Sequence, residues 1–591
     1  MKASMRHGMA FAALLLTGLL FGCGDGVVGA AYPDSTAPDG AAEDTLPAED
    51  AATDTPDADV APDVAFQANL FPNNPAKDEW ETHTVTVANV GTEDGSLAGP
   101  YADVTNCLNE DGGWWREYDV PLFGLVKVQL CNLKKTVLPD ADGSYLSVQV
   151  PADPLDPDDA FAELMLFHHM NVIHDFYKDT LGYDGMDFPL EGYVNVMAWL
   201  EMANPLPDIP QGWIGIDNAM FVPGESIEEI VEMAADLLQD FLGVEDDLAD
   251  IPFKNDAIFF FQGEAVDFGW DADVIYHEYT HATVGGDRLF GIPVDEFGPD
   301  ASPGAIHEAY GDYFACTILG DPQASEYALG ALSGAARDLS VFKKCPEDYY
   351  GEVHDDGEIY GSALWEIRET IGREAADRIL FDAMLTFGME TGFEGAAEAT
   401  IAEAATLDPP KGDEVEAIFT AHGLLGCDDR IKPFIDTTQE VDATWLPGTQ
   451  TTGVAEFAEA APGYVQYTFE VEEGTTSIAL SVTAEIGGLM GILGSFLGGG
   501  SVDLSAALKH DGPITYAFEG GYTHTETAVV HLEKIEGSLF STTISGTCLE
   551  PGTHHLQFLS HTESEVMLLT MTMTQGSDPL PEETETNYTC E

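Results

Sequence analysis

The stretch Asp273-Val-Ile-Tyr-His277-Glu278-Tyr-Thr-His281 constrains this chain more than any other. Four positions apart, His277 and His281 leave one face of a helix a turn apart and can grip a single metal ion. Glu278 then lies beside that ion. Two neutral imidazoles, an open position for water and a carboxylate to accept that water's proton are the parts of a zinc hydrolase. The flanks favour a helix: Asp271 and Asp273 place acid where it complements the dipole, and Gly285-Gly286 supply a stop.

A bare pair of histidines at this spacing also arises by chance, so the next helix carries weight. Pro303-Gly-Ala-Ile-His-Glu308-Ala-Tyr-Gly-Asp312-Tyr-Phe-Ala-Cys316 puts Glu308 and Asp312 on one face. Glu308 would complete a ligand set of two His and one Glu. Asp312 could accept the free ring N–H of a ligand histidine and fix its tautomer. The plainer reading, two solvated acids on a helix of an acidic protein, weakens once the upstream histidines are considered.

Gly304-Ala-Ile-His-Glu308-Ala-Tyr-Gly-Asp312 resembles the third-ligand helix of thermolysin-type peptidases, and the 27 residues from His281 to Glu308 resemble fungalysin spacing. Both families are gluzincins. Metzincins are excluded, because Val284 and Asp287 stand where that group has Gly and a third His. Phe167-His-His-Met-Asn-Val-Ile-His-Asp-Phe-Tyr177 with Leu181-Gly-Tyr-Asp-Gly185 is similar to the helix and turn that open the catalytic domain, and the resemblance spans about Leu70 to Leu425.

It implies an α+β multidomain protein. Residues 156–430 would form a thermolysin-like, two-lobed metallopeptidase, with a β-containing upper lobe and a helical lower lobe. Helices over 375–387, 394–407 and 414–422 would build the lower one.

The resemblance also implies roles. Zinc would sit on His277, His281 and Glu308, with Glu278 as general base. Asn218-Ala-Met-Phe resembles the stretch before the edge strand that pairs with extended substrate, although Ala257–Phe261 could also be that edge. His354, in Gly351-Glu-Val-His-Asp-Asp-Gly-Glu-Ile-Tyr-Gly-Ser-Ala-Leu-Trp365, resembles the transition-state histidine, a donor that contributes about 3 kcal/mol. Outside that context it would be a surface-loop histidine. Arg337 matches an arginine that, in thermolysin, binds the substrate carbonyl and buttresses the site.

Two positions depart from the pattern. Pro299 stands where thermolysin has an oxyanion tyrosine, and no acid lies five before His354. Its orienting carboxylate therefore falls to Asp348, Glu352 or a remote group. His168, His169 and His174 suit packing rather than ligation.

With 21 Lys and Arg against 105 Asp and Glu, the net charge is −84. Nucleic acid is excluded as a partner, since phosphate binding needs a basic footprint. Such a surface suits high salt, where self-repulsion is screened. Acidic clusters such as Glu245 to Asp250 are candidate calcium ligands or, more plainly, solvated charge.

The N-terminus is expected to be a targeting segment. Lys2 and Arg6 precede an apolar run from Ala10 to Leu20, too short to span a bilayer. Leu20-Phe21-Gly22-Cys23 resembles a bacterial lipoprotein signal over residues 1–22, with Cys23 lipidated and holding the protein at a membrane; plain secretion is the alternative. Residues 23–65, rich in Ala, Asp, Pro and Thr, read as a disordered tether with a reach of roughly 35 Å. Residues 66–155 alternate as strands do. Fungalysins carry a longer inhibitory propeptide, so this region is either a shortened remnant or part of the mature fold.

Residues 440–591 change period: Tyr467, Phe469 and Val471 alternate, as do Ile478, Leu480 and Val482, which predicts an antiparallel β-sandwich. A Gly-rich apolar segment, 486–501, interrupts it as a contact loop or a buried insertion. An exported chain favours disulfides. Proximity and domain pair Cys107 with Cys131, Cys548 with Cys590 and Cys345 with Cys427, leaving Cys316 as a buried thiol. The expected whole is an exported zinc-dependent endopeptidase acting on polypeptides. The competing expectation is a non-catalytic surface-binding or adhesion lipoprotein that retains the peptidase fold.

Overall fold

The computed structural model describes residues 66–577 apart from 92–94, 111, 121–123, 206–210, 225, 228–249, 333, 428–429, 435–437, 440–443, 450–459, 487–501, 518–522, 525–527, 546–548 and 563–564. Cys23, the tether, most of the acidic run from Glu245, the 486–501 segment, Cys548 and Cys590 lie outside the described residues. Among the described residues, no helix is long and apolar enough to cross a membrane.

Among the described residues, eleven strands precede the stretch that carries His277 and His281. They are β1 (Phe66–Leu70), β2 (His83–Val87), β3 (Ala102–Leu108), β4 (Trp115–Val120), β5 (Gly124–Leu130), β6 (Asn132–Lys134), β7 (Leu190–Val196), β8 (Ala198–Met202), β9 (Gly212–Ile214), β10 (Ala219–Val222) and β11 (Ala257–Phe261). A central sheet runs β10-β11-β7-β3-β6, with β11, β7 and β3 parallel and the two edges antiparallel. An antiparallel sheet, β4-β5-β8-β9, lies beyond it. Period-two alternation divides the apolar strands between two cores. Ile258 and Phe260 of β11 join the main core, whereas Ala257, Phe259 and Phe261 join the core beneath the four-stranded sheet. That is why β11 reads as a continuous apolar run. The edge strand is therefore β10, and β11 is interior.

Helix α1 (Phe161–Asp175) packs on β3 and β7 and against α2 (Ala272–Val284). Its histidines pack, as expected: His169 bonds the Tyr276 hydroxyl at 2.8 Å and the Phe71 carbonyl at 3.0 Å. After α2 come α3 (Ser302–Leu319), α4 (Val353–Ile371), α5 (Arg373–Met384), α6 (Phe393–Ala404) and α7 (Gly412–Ala421). The last three match the expected helices to within a few residues. Disulfides join Cys107 to Cys131 and Cys345 to Cys427, and Cys316 is buried and free.

Residues 66–155 share a sheet and a core with the later strands β7, β10 and β11, and residues 71–80 also form a strap over the start of α2. The Asn73 carbonyl accepts from the Ala272 N–H at 2.9 Å. The Asn74 amide reaches Asp271, Asp273 and Glu326 at 3.3, 3.1 and 3.2 Å. Lys77 pairs with Asp321 and Glu326, and Trp80 packs edge-on against Phe71, Trp270 and Tyr327. The region thus forms an apolar and hydrogen-bonded cap on the helix that carries both histidines.

Beside a two-stranded sheet of Tyr516–Ala517 and Thr523–His524, the described residues of the C-terminal part form two large sheets. One orders β12 (Ile431–Pro433), β15 (Ala461–Val471), β21 (Gly552–Ser560), β17 (Leu504–His510) and β18 (Ala528–His531). The other orders β13 (Thr438–Gln439), β22 (Val566–Gly576), β16 (Ser477–Ile486), β20 (Leu539–Ser545) and β19 (Glu533–Glu536), with β14 (Thr444–Leu446) also on β22. Alternate residues from both sheets, Phe469, Leu480, Phe540 and Met571 among them, share one core. The pairing is antiparallel except β12, which runs parallel to β15.

Under the strap, burial and the charges of Asp271 and Glu326 raise the Asp273 carboxyl above the usual range. A carboxyl with a higher pKa folded than unfolded takes up protons on folding. Its contribution is complete below the unfolded value of about 4 and is lost as pH rises. Asp273→Asn should therefore flatten the pH dependence of stability. In thermal melts between about pH 5 and about pH 8, the melting point of the variant relative to wild type should rise with pH; a constant difference would acquit Asp273.

Candidate metal centre

Helices α2 and α3 bring three ligand atoms to one point. His277 Nε2 and His281 Nε2 are 2.9 Å apart, and Glu308 oxygens lie 3.1 Å from the first and 3.4 Å from the second. A tetrahedral ion with bonds of about 2.0–2.2 Å has ligand-to-ligand edges of about 3.3–3.6 Å, close to these spacings. Among the described residues, this is the one group of three His, Cys, Asp or Glu side chains whose ligand atoms lie within 4.8 Å of one another. All three are buried.

The close approach depends on glycine. A Cβ at Gly311 would stand 2.7 Å from the His277 ring, so only glycine lets α3 pass so near α2. Asp312, the next residue, receives the His277 Nδ1–H at 2.9 Å. That bond uses the ring's proton and leaves a lone pair on Nε2, facing Glu308 Oε2. Glu308 Oε2 is itself buried without a hydrogen bond. Two electron-rich atoms face each other in a buried site, an arrangement that calls for a cation between them. Without a metal that cation is a proton: burial lowers the His277 imidazole, but Asp312 and Glu308 outweigh it and raise the ring to about 9, and an ion would displace the Nε2 proton to use the lone pair. The pocket thus demands positive charge, and the donor set fits zinc.

Arg337 stands behind this pair. Its Nε and one terminal nitrogen fork onto Asp312 at 2.7 and 2.6 Å. Burial favours a protonated Asp312, yet Arg337 and His277 hold its carboxyl below the usual range. The arginine expected to meet a substrate carbonyl is thus engaged at the rear of the ligand shell. Against His281 lies a residue that sequence reasoning missed: His307 stacks on its ring at 4.2 Å and 7°. Its position beside Glu308 in the chain was the available signal. Burial keeps both rings neutral.

Glu278 lies on the same helix, its carboxylate bonded to backbone of Phe221 on β10. Burial, with the charge of Glu308, raises its pKa to about 7 against the pull of His277, Phe221 and His354. A carboxylate poised there is matched to proton transfer near neutral pH. His354 opens α4 on the far side, with Nε2 3.4 Å from Glu308 Oε2 and Nδ1 2.7 Å from Glu352. Of the orienting acids the sequence offered, Glu352 takes the role; Asp348 instead accepts the Lys344 backbone N–H. Burial lowers the His354 ring, and the charges of Glu308 and Glu352 outweigh it, raising it to about 10. It is a hydrogen-bond donor at neutral pH.

Asn218 precedes β10 with its side chain half-buried, and its carbonyl accepts from the Phe261 N–H at 3.1 Å. From the acidic run proposed for calcium, Asp250 is described, and it pairs with Arg116 and the Trp114 indole.

No family model matches this chain, and no curated protein does. Among solved structures, it is similar to a family GH115 4-O-methyl-α-glucuronidase with specificity for decorated arabinogalactans, at 11% identity and a TM-score of 0.15. The match covers 60% of this chain and 48% of that one, and a score so low carries no argument.

Outer partners of ligand histidines typically contribute about 10–100-fold in metal affinity. Asp312→Ala should weaken zinc binding by about that factor in competition with a chelator. Equal affinity in variant and wild type would show that the His277 tautomer is fixed without Asp312.

Proposed function

We propose that this chain is an exported zinc-dependent endopeptidase with a gluzincin, thermolysin-like catalytic domain. The observation that carries the proposal is the convergence of His277, His281 and Glu308, with a buried carboxylate oxygen 3.1 Å from the His277 Nε2, and Glu278 and His354 at its sides. Those three side chains would hold the ion. Zinc, when bound, supplies the Lewis acidity that activates water and polarises a peptide carbonyl.

The remaining steps belong to the protein. Edge strand β10 offers its open side to an extended polypeptide, which would bind by strand addition. Glu278, next to that strand, takes a proton from water as its oxygen bonds to the carbonyl carbon. It then delivers the proton to the nitrogen as the C–N bond breaks. His354 donates to the oxygen where negative charge develops, aligned by Glu352. Asp312 and Arg337 hold His277 still throughout.

Two disulfides accord with export, and the signal-like N-terminus with Cys23 supports a lipid anchor. Exclusion of nucleic acid follows from the charge.

The decisive comparison is casein hydrolysis in high salt by wild type, Glu278→Gln and His354→Ala, with zinc counted in each. Glu278→Gln should keep one zinc and lose cleavage. His354→Ala should lower kcat by about 10²–10³-fold. Cleavage by zinc-loaded Glu278→Gln at the wild-type rate would end the general-base assignment. A zinc-loaded wild type that cleaves nothing would favour the surface-binding alternative.

A further inference from the structure

The C-terminal sandwich meets the catalytic part along two loops, and each loop leads into a group of the site. Residues 294–300 run into α3 and so to Glu308. Arg430, 2% exposed, forks onto Asp295 at 3.0 and 2.8 Å, while Gln466 and Gln557 donate to the Phe297 carbonyl at 3.4 and 3.2 Å. Residues 349–352 run into α4 and so to His354. The Tyr349 hydroxyl ties the loops together, accepting from the Ala301 N–H at 3.1 Å and reaching Asp300 at 3.3 Å.

The second loop is held residue by residue. The Trp445 N–H donates to the Tyr350 carbonyl at 3.0 Å, and the Lys432 ammonium lies 3.9 Å from the centre of the Tyr350 ring. Gly351 has φ +84° and rests against Tyr464; a Cβ there would stand 2.5–2.8 Å from Tyr464 atoms. Buried Asp356 accepts from the Tyr350 and Gly351 N–H groups at 2.6 and 2.8 Å. The next residue is Glu352, which caps α4 through the Asp355 N–H at 2.8 Å and orients His354 at 2.7 Å. Tyr464 is 5% exposed, and it is the ring that fills the space under Gly351.

We infer that the C-terminal sandwich is a positioning domain for His354, with Tyr464 setting, through Gly351, where Glu352 holds the imidazole. The consequence for the sandwich is specific: it supports the loop behind the catalytic site and acts without touching substrate. This rests on the peptidase reading, in which His354 serves hydrolysis. Emptying the space beneath Gly351 lets the loop sink, and a misplacement of about 1 Å in a catalytic group can cost about 10²-fold.

The test uses full-length Tyr464→Ala, Tyr464→Phe and Lys432→Gln. It reads kcat and KM on a fluorogenic peptide, zinc content, and amide hydrogen exchange over residues 350–356. Tyr464→Ala should lower kcat by roughly 10–100-fold, with KM and zinc unchanged and exchange faster over 350–356. Tyr464→Phe, which keeps the ring, should recover both. Lys432→Gln, a milder change that decides the matter if Tyr464→Ala does not fold, should shift both in the same direction by less.

Wild-type kcat and exchange in Tyr464→Ala overturn the inference. So does a loss confined to KM or zinc, or an unchanged Lys432→Gln when the alanine variant does not fold. If wild type itself cleaves nothing, the peptidase reading fails separately. Exchange over 350–356 then decides the positioning link alone, and identical protection in Tyr464→Ala and Tyr464→Phe overturns it.

Discussion

The contact between α2 and α3 is what the candidate site depends on. Neither helix holds a complete ligand set: α2 supplies two imidazoles and α3 one carboxylate, so the distance between them determines whether any ion fits. Gly311 sets that distance by the absence of a side chain, and the bond from His277 to Asp312 locks it. Arg337 then neutralises Asp312, which would otherwise be a buried charge with one partner too few. The chain Arg337–Asp312–His277 is therefore structural and electronic at once. It fixes the spacing of two helices and directs a lone pair into the space between them.

Scarcity of positive charge makes these placements more telling. With 21 basic residues against 105 acidic ones, a cation placed inside is one fewer to relieve the surface. Several nevertheless stand at joints: Arg337 behind the ligands, and Arg430 and Lys432 between sandwich and catalytic part. Each sits where two segments distant in sequence meet and where acids would otherwise repel. High external salt screens solvent-exposed charge far better than buried charge. The internal pairs therefore neutralise acids that counterions from a saline medium would not reach.

Local geometry explains what the sequence made legible. His277 and His281 share a helix face because four residues span about one turn, and that fact needs no tertiary structure. Glu308 and Asp312 were readable for the same reason, as were the alternating strands of the sandwich and the pairing of Cys107 with Cys131. Position in space was not. Glu352 and Asp348 both stood near His354 in the sequence, and only the turn at Gly351 and the cap on α4 distinguish them. The edge strand remained ambiguous because β10 and β11 are both short apolar runs, and which is interior depends on β7, more than sixty residues upstream of β11. Asn74 and Tyr464 carried no pattern at all, since each acts on a segment about 110–200 residues away in the chain.

That non-local dependence bears on how the protein is divided. A boundary near residue 430 separates the helical pattern from the sandwich pattern by period. Energetically it cuts through a continuous core, because Leu446 and Tyr464 pack in the same cluster as Tyr310 and Tyr360. The strap does the same at the other end, where the Asn73 carbonyl takes the Ala272 N–H at the start of a helix about two hundred residues later. A fragment bounded by the motif alone would contain every ligand and lack the Tyr464 support beneath Gly351. The candidate donors are encoded locally, whereas the loop that leads to His354 rests on the far end of the chain, so on the proposed reading metal binding and catalytic competence would be separable.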